Sequence, residues 1–126
     1  VDVRYSREEG IERVEKAFRE IAAKTYVQGT KTHVQCLVKV SSMERLPASE
    51  TLFHRAEKIA KEWNLPDMKA IAVGGGSDSA YLTRAGIPTL CALGVKGEFN
   101  HTVREWADKK SLTERAKLLA ALLLQL

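Results

Sequence analysis

Residues 70–80, Ala70-Ile71-Ala72-Val73-Gly74-Gly75-Gly76-Ser77-Asp78-Ser79-Ala80, decide how this chain is read. Ala70 to Val73 is a short continuous apolar run of the kind a buried strand uses, and it leads directly into three glycines. Ala80 to Ala85 then has helical composition and stops at Gly86, the residue type that closes helices in the left-handed conformation. The stretch therefore predicts strand, glycine loop, helix. Three glycines permit close backbone approach, and their N–H groups, together with the following helix dipole, can receive an anion. The loop lacks the Lys-Ser/Thr ending of a P-loop and the GxGxxG spacing of a dinucleotide fold, which disfavours nucleotide phosphate. A tight turn that needs small residues explains the glycines equally well. Asp78 is similarly accounted for as a first-turn carboxylate favoured by the dipole.

Toward the N-terminus, Val1, Val3 and Tyr5 alternate with Asp2 and Arg4, the period of a half-buried strand, which points Arg4 away from the core. Ser6 and Glu9 have capping-box spacing, and Ile11, Val14, Phe18 and Ile21 recur on one face of a helix from about Arg7 to Ala23. After a turn at Gln28-Gly29-Thr30, Val34, Cys36, Val38 and Val40 alternate as a second strand. Strand, helix, strand is half of a split βαβ sandwich. The pattern lapses over 42–49, where Pro47 marks a boundary. A helix from about Ser49 to Trp63 follows, carrying Leu52, Phe53, Ala56, Ile59, Ala60 and Trp63 on one face and ending before Leu65-Pro66.

Toward the C-terminus, Pro88 to Leu93 reads as a buried strand and 94–110 as a loop of mixed polarity. Ser111 and Glu114 repeat the capping-box spacing at the head of a final leucine-rich helix reaching Leu126. That helix has almost no polar face and calls for cover by other structure.

Composition bounds the function classes. A chain of 126 residues with 44% hydrophobic and 29% charged residues is an ordinary globular protein, long enough for one core or for parts of two. The net charge of +4 permits an anionic partner such as RNA, but Arg13, Glu15, Lys16, Arg19 and Glu20 interleave signs as a solvated helix face does. An RNA-reading sheet also needs exposed aromatics on adjacent strands, and the strands offer Tyr5 and little else. Cys36 and Cys91 lie in apolar segments without CxxC spacing, which predicts buried, reduced thiols and a cytoplasmic setting. The longest apolar stretch, near Leu118 to Leu124, is far short of a membrane span. A first residue that is not Met, opening directly on a strand pattern, leads us to expect an excised piece of a longer protein. His33 and His54 have no partner at ligand spacing and read as surface residues, whereas His101 lies in a loop after a buried strand, where open α/β sheets place ligand-binding groups.

Taken in order, Val73 to Ala80, Gly86-Ile87-Pro88, Leu93-Gly94, then His101, Glu105 and Trp106, and the leucine-rich helix resemble the C-terminal part of a family of zinc exopeptidases. That family includes glutamate carboxypeptidase, acetylornithine deacetylase and succinyl-diaminopimelate desuccinylase. Asp2-Val3-Arg4-Tyr5 resembles a strand of the family's smaller lid domain, and Met43 to Ala48 resembles the return from lid to catalytic domain. The likeness is closest to carboxypeptidases that release C-terminal glutamate. It implies an α/β fold: residues 1–42 as part of a ferredoxin-like lid or dimerisation domain, and 49–126 as the C-terminal part of the catalytic domain.

The resemblance further implies His101 as a zinc ligand with Glu105 supporting it, and Arg4 with the backbone of Gly76 gripping a substrate carboxylate. Arg45 is implied as a second substrate-binding arginine, although the family places that arginine directly before proline and here Leu46 intervenes. In the complete enzyme two zinc ions would activate water for attack on the amide bond of a peptide or N-acyl amino acid. The resemblance implies that the family's His-x-Asp, bridging Asp, adjacent Glu pair and lid histidine all lie upstream of this segment, so the isolated chain is expected to be inactive and not to retain zinc. A homo-oligomer is the expected state. The alternative is a small ferredoxin-like module that dimerises or binds an anionic partner such as RNA.

Overall fold

The computed structural model describes residues 1–125. Its elements in chain order are α1 (Glu8–Ala22), α2 (Pro47–Glu62), α3 (Ser79–Arg84), β1 (Gly97–Glu98), β2 (Trp106–Ala107) and α4 (Lys109–Gln125). Among the described residues, four helices and one two-stranded antiparallel sheet, compatible with an α/β class, form two compact units. One unit comprises Val1–Arg45 with Val73–Ile87, and the other Leu46–Ala72 with Pro88–Leu126. Leu126, which the sequence places at the end of the last helix, lies outside the described residues. Among the described residues no helix is long and apolar enough to cross a membrane.

The second unit is built on α2 and α4. Ala56, Ile59 and Ala60 of α2 and Leu118, Ala121 and Leu122 of α4 repeat the same i, i+3, i+4 spacing, so each helix presents one stripe to the other. The alanines let the backbones approach, Met68 joins the cluster, and Phe53, Leu65, Leu90 and Leu93 pack around it. Each fully buried Leu or Ile here contributes about 1.5–3 kcal/mol. Pro47 is the first residue of α2, which begins two residues before the expected Ser49, because a helix's first N–H has no intrahelical partner for proline to lose. Helix α2 ends with Asn64 in the left-handed region (φ 50°) and a 2.8 Å bond from Leu65 N–H to the Ala60 carbonyl. The Ser49 hydroxyl, buried in its first turn, accepts the Thr89 N–H at 3.0 Å and so ties the segment after α3 to the helix.

In the first unit, α1 carries the apolar stripe the sequence shows, but none of its residues is fully buried. The expected Ser6 cap is absent. Arg7 is the N-cap and makes no side-chain cap bond, and the Glu8 N–H is taken instead by the Glu44 carboxylate at 3.0 Å. Glu8 answers by accepting the Ser42 N–H at 2.8 Å, and its other oxygen lies 3.8 Å from Arg84 at the end of α3. A distant segment thus satisfies a donor that the sequence assigns to a local serine. Helix α3 stops at Gly86 (φ 79°) as expected, with Ile87 N–H bonded to the Leu82 carbonyl at 3.0 Å.

The four strands expected at 1–5, 34–40, 70–73 and 88–93 do not form. Alternation supplies a segment with two faces, but a strand exists only as one side of a ladder, and these segments meet no ladder partner among the described residues. Their apolar positions are left open: Leu37, Val38, Ile71 and Val73 are each more than two-thirds exposed. Cys36 and Cys91 are exposed for the same reason, contrary to the buried thiols that their apolar surroundings suggest.

Candidate functional site

The residues singled out by the sequence fall in both units. Arg4, Gly76 and Arg45 belong to the first, and His101 to the second. All four are exposed.

Arg4 and the glycine loop meet. The Arg4 Nη1 donates to the carbonyl of Gly74, while Nη2 and Nε reach the Asp2 carboxylate at 2.7 and 3.2 Å. The hydrogen bond to Asp2, and then its charge, hold the guanidinium pKa above its ordinary value. Next in sequence, the Tyr5 hydroxyl donates to the Val40 carbonyl, and a Cβ on Gly76 would stand 3.0 Å from the Val40 Cγ1. Side-chain bonds, not a β-ladder, therefore bring 1–5, Val40 and 74–76 together, and the third glycine is the one whose missing side chain the packing uses. The Lys39 ammonium forms a 2.9 Å pair with Glu15 of α1 nearby. That contact lowers the Glu15 pKa and raises that of Lys39, and burial raises the Tyr5 phenol. Arg45 is the last residue of this unit's first segment.

His101 sits in the loop of the hairpin formed by β1 and β2, which pair Gly97 with Ala107 and Glu98 with Trp106. Gly97 is required here, because a Cβ would collide with the Trp106 carbonyl oxygen. Phe99 (φ 59°) and His101 (φ 63°) both occupy the left-handed region, which ordinary side chains adopt at a cost of about 1–3 kcal/mol each when the surroundings impose it. The loop's own polar groups impose it. Phe99 O accepts from the Thr102 N–H at 3.1 Å and the Thr102 hydroxyl at 2.7 Å, and the Glu105 carboxylate accepts the His101 N–H at 3.2 Å. The Arg104 guanidinium lies 4.8 Å from the centre of the Phe99 ring. The hairpin's base is pinned to α4 through Ser111, whose buried hydroxyl accepts the Lys96 N–H at 2.9 Å and donates to the Asp108 carbonyl at 2.7 Å. Ser111 is therefore not the expected helix cap, and the Asp108 carboxylate instead receives the first-turn N–H of Lys110 at 3.0 Å.

Among the described residues no group of three or more His, Cys, Asp or Glu side chains is placed to hold a metal ion. The Glu105 carboxylate faces a backbone N–H of its own loop. His101 thus has no set of co-ligands in the described chain, and the residues present do not amount to a metal site. His54 is exposed, 3.5 Å from Glu57 on its own helix, in keeping with a surface residue. Sequence reasoning did not foresee that Asp2 would engage Arg4. Their i, i+2 spacing on a period-two segment was the available signal, since it places both on one face.

The chain matches a family of hydrolases, the metal-dependent peptidases. Residues 9–125 fit the model of peptidase family M20/M25/M40, and the protein belongs to that family. No curated protein and no solved structure matches it.

Proposed function

We propose that this chain is the C-terminal portion of a zinc carboxypeptidase or deacylase of the glutamate carboxypeptidase type. In the whole enzyme it supplies part of the grip on the carboxylate of a peptide or N-acyl amino acid, and one metal ligand, His101. The observation that carries the reading is the meeting of Arg4 with the glycine loop at Gly74–Gly76. A planar guanidinium fork beside unsubstituted backbone suits a substrate carboxylate, through charge-assisted bonds. Residues 1–42 are proposed as part of a ferredoxin-like lid, 49–126 as part of the catalytic domain, and Arg45 as an accessory carboxylate contact. A homo-oligomer in the cytoplasm is the proposed state. The exposed Leu37, Val38 and Val40, together with Leu119, Leu123 and Leu124 of α4, offer surface that association would bury.

Alone, the described residues offer neither a metal site nor a carboxylate base set against a substrate, so the purified chain is expected not to hydrolyse amides. Produced as one polypeptide with its upstream coding segment, it should cleave a C-terminal glutamate substrate, and a zinc chelator should abolish the activity. Arg4→Ala should then lower kcat/KM about tenfold for carboxylate-bearing substrates. Turnover by the isolated chain, or an unchanged kcat/KM in Arg4→Ala, would contradict the proposal.

A further inference from the structure

A guanidinium has five N–H donors. In Arg4, Nε and Nη2 are directed at one oxygen of Asp2, at 3.2 and 2.7 Å, and Nη1 at the Gly74 carbonyl. Asp2 thus occupies the side edge of the fork, and one N–H on each Nη is left over. Those two N–H groups remain to receive a carboxylate through charge-assisted bonds. The side chains of Arg4 and Asp2 are 65% and 73% exposed, so an external anion can reach them.

We propose that Asp2 is an internal competitor for Arg4 that sets how tightly, and which, carboxylates the chain accepts. The inference rests on the reading of Arg4 as the substrate-carboxylate group. Asp2 is two residues away on the same segment, so its effective concentration at the guanidinium exceeds that of a free ligand. An incoming carboxylate must either take the remaining N–H groups beside a like charge or displace Asp2 from the side edge, and both routes weaken binding. A ligand with two negative charges meets this repulsion twice. Asp2 therefore lowers the affinity for a dicarboxylate, such as a C-terminal glutamate, more than that for a monocarboxylate. An exposed ion pair of this kind alters an equilibrium by a small factor, about two- to five-fold, and salt reduces it.

The full chain labelled with 15N, followed at the Arg4 Nε–H resonance, tests this with two probes. N-acetylglycine carries one carboxylate and N-acetylaspartate carries two. Asp2→Asn should bind N-acetylglycine about two- to five-fold more tightly than the wild type, with a larger gain for N-acetylaspartate. Asp2→Glu, which restores the charge, should return both affinities toward the wild-type values. If Arg4 responds to the probes but Asp2→Asn binds them equally or more weakly, Asp2 only orients the guanidinium and the inference falls while the reading of Arg4 stands. If the Arg4 resonance responds to neither probe in either protein, the reading of Arg4 falls and the inference with it.

Discussion

Replacing Ser111 by Ala removes one oxygen from a site with no solvent exposure and leaves the helix α4 sequence otherwise suited to a helix. The hydroxyl accepts the Lys96 N–H at 2.9 Å and donates to the Asp108 carbonyl at 2.7 Å, so it links the two ends of the hairpin that carries His101. A typical hydrogen bond contributes about 0.5–1.5 kcal/mol net, and a buried group left without a partner costs about 1–3 kcal/mol. Lys96 and Asp108 are exposed residues, so water can reach part of what the hydroxyl vacates, and the loss should come to about 1–2 kcal/mol. With a urea slope of about 1–3 kcal/mol per M, the midpoint should fall by about 0.3–2 M. Equilibrium urea unfolding of the whole chain measures the first quantity, and amide hydrogen exchange at Lys96 locates it. Protection at Lys96 should drop more than protection in α2, because the hairpin base is released before the helix pair. A midpoint within about 0.2 M of the wild type, with Lys96 protection unchanged, would refute the assignment of Ser111 as the pin of the hairpin.

The α2–α4 core separates two leucines that look alike in the sequence. Leu118→Ala, at 2% exposure, should cost about 2–5 kcal/mol, whereas Leu112→Ala, at 62%, should stay within about 0.5 kcal/mol, and equal losses in urea unfolding would contradict the packing. The Lys39–Glu15 pair should be pH-limited at both ends. The depressed Glu15 contributes above its ordinary value of 4.5 and loses that contribution as pH falls through its folded value, while the raised Lys39 contributes below 10.5 and loses it as pH rises through its own. NMR titration of the Glu15 carboxyl in wild type and Lys39→Met checks this, and an unchanged Glu15 midpoint in the variant would remove the pair. Sedimentation should find the chain self-associated, with leucine-to-glutamate changes at 119 and 123 shifting it toward monomer; a stable 14.0 kDa particle at high concentration would show that its apolar surface needs no partner.

Helix positions were legible from the sequence because a helix satisfies most of its backbone within one segment, so the spacing of apolar residues suffices. The stripes of α1 and α2 and the Gly86 stop depended on nothing outside their own residues. The order of motifs from Val73 to the final helix was enough to point to a peptidase family, since order and residue type survive without any contact being known. Strands could not be decided in this way. A period-two pattern says which residues would share a face, but the ladder needs a neighbour, and at 1–5, 34–40, 70–73 and 88–93 the described chain brings none. The helix caps failed for a related reason. An N–H at a helix start accepts any nearby oxygen, and tertiary structure brought Glu44 to Glu8 where sequence spacing offered Ser6. The same holds at the site. The sequence supplied Arg4 and three glycines as separate candidates, and only the folded chain set the guanidinium between the Gly74 carbonyl and Asp2, because that contact joins residues 70 positions apart.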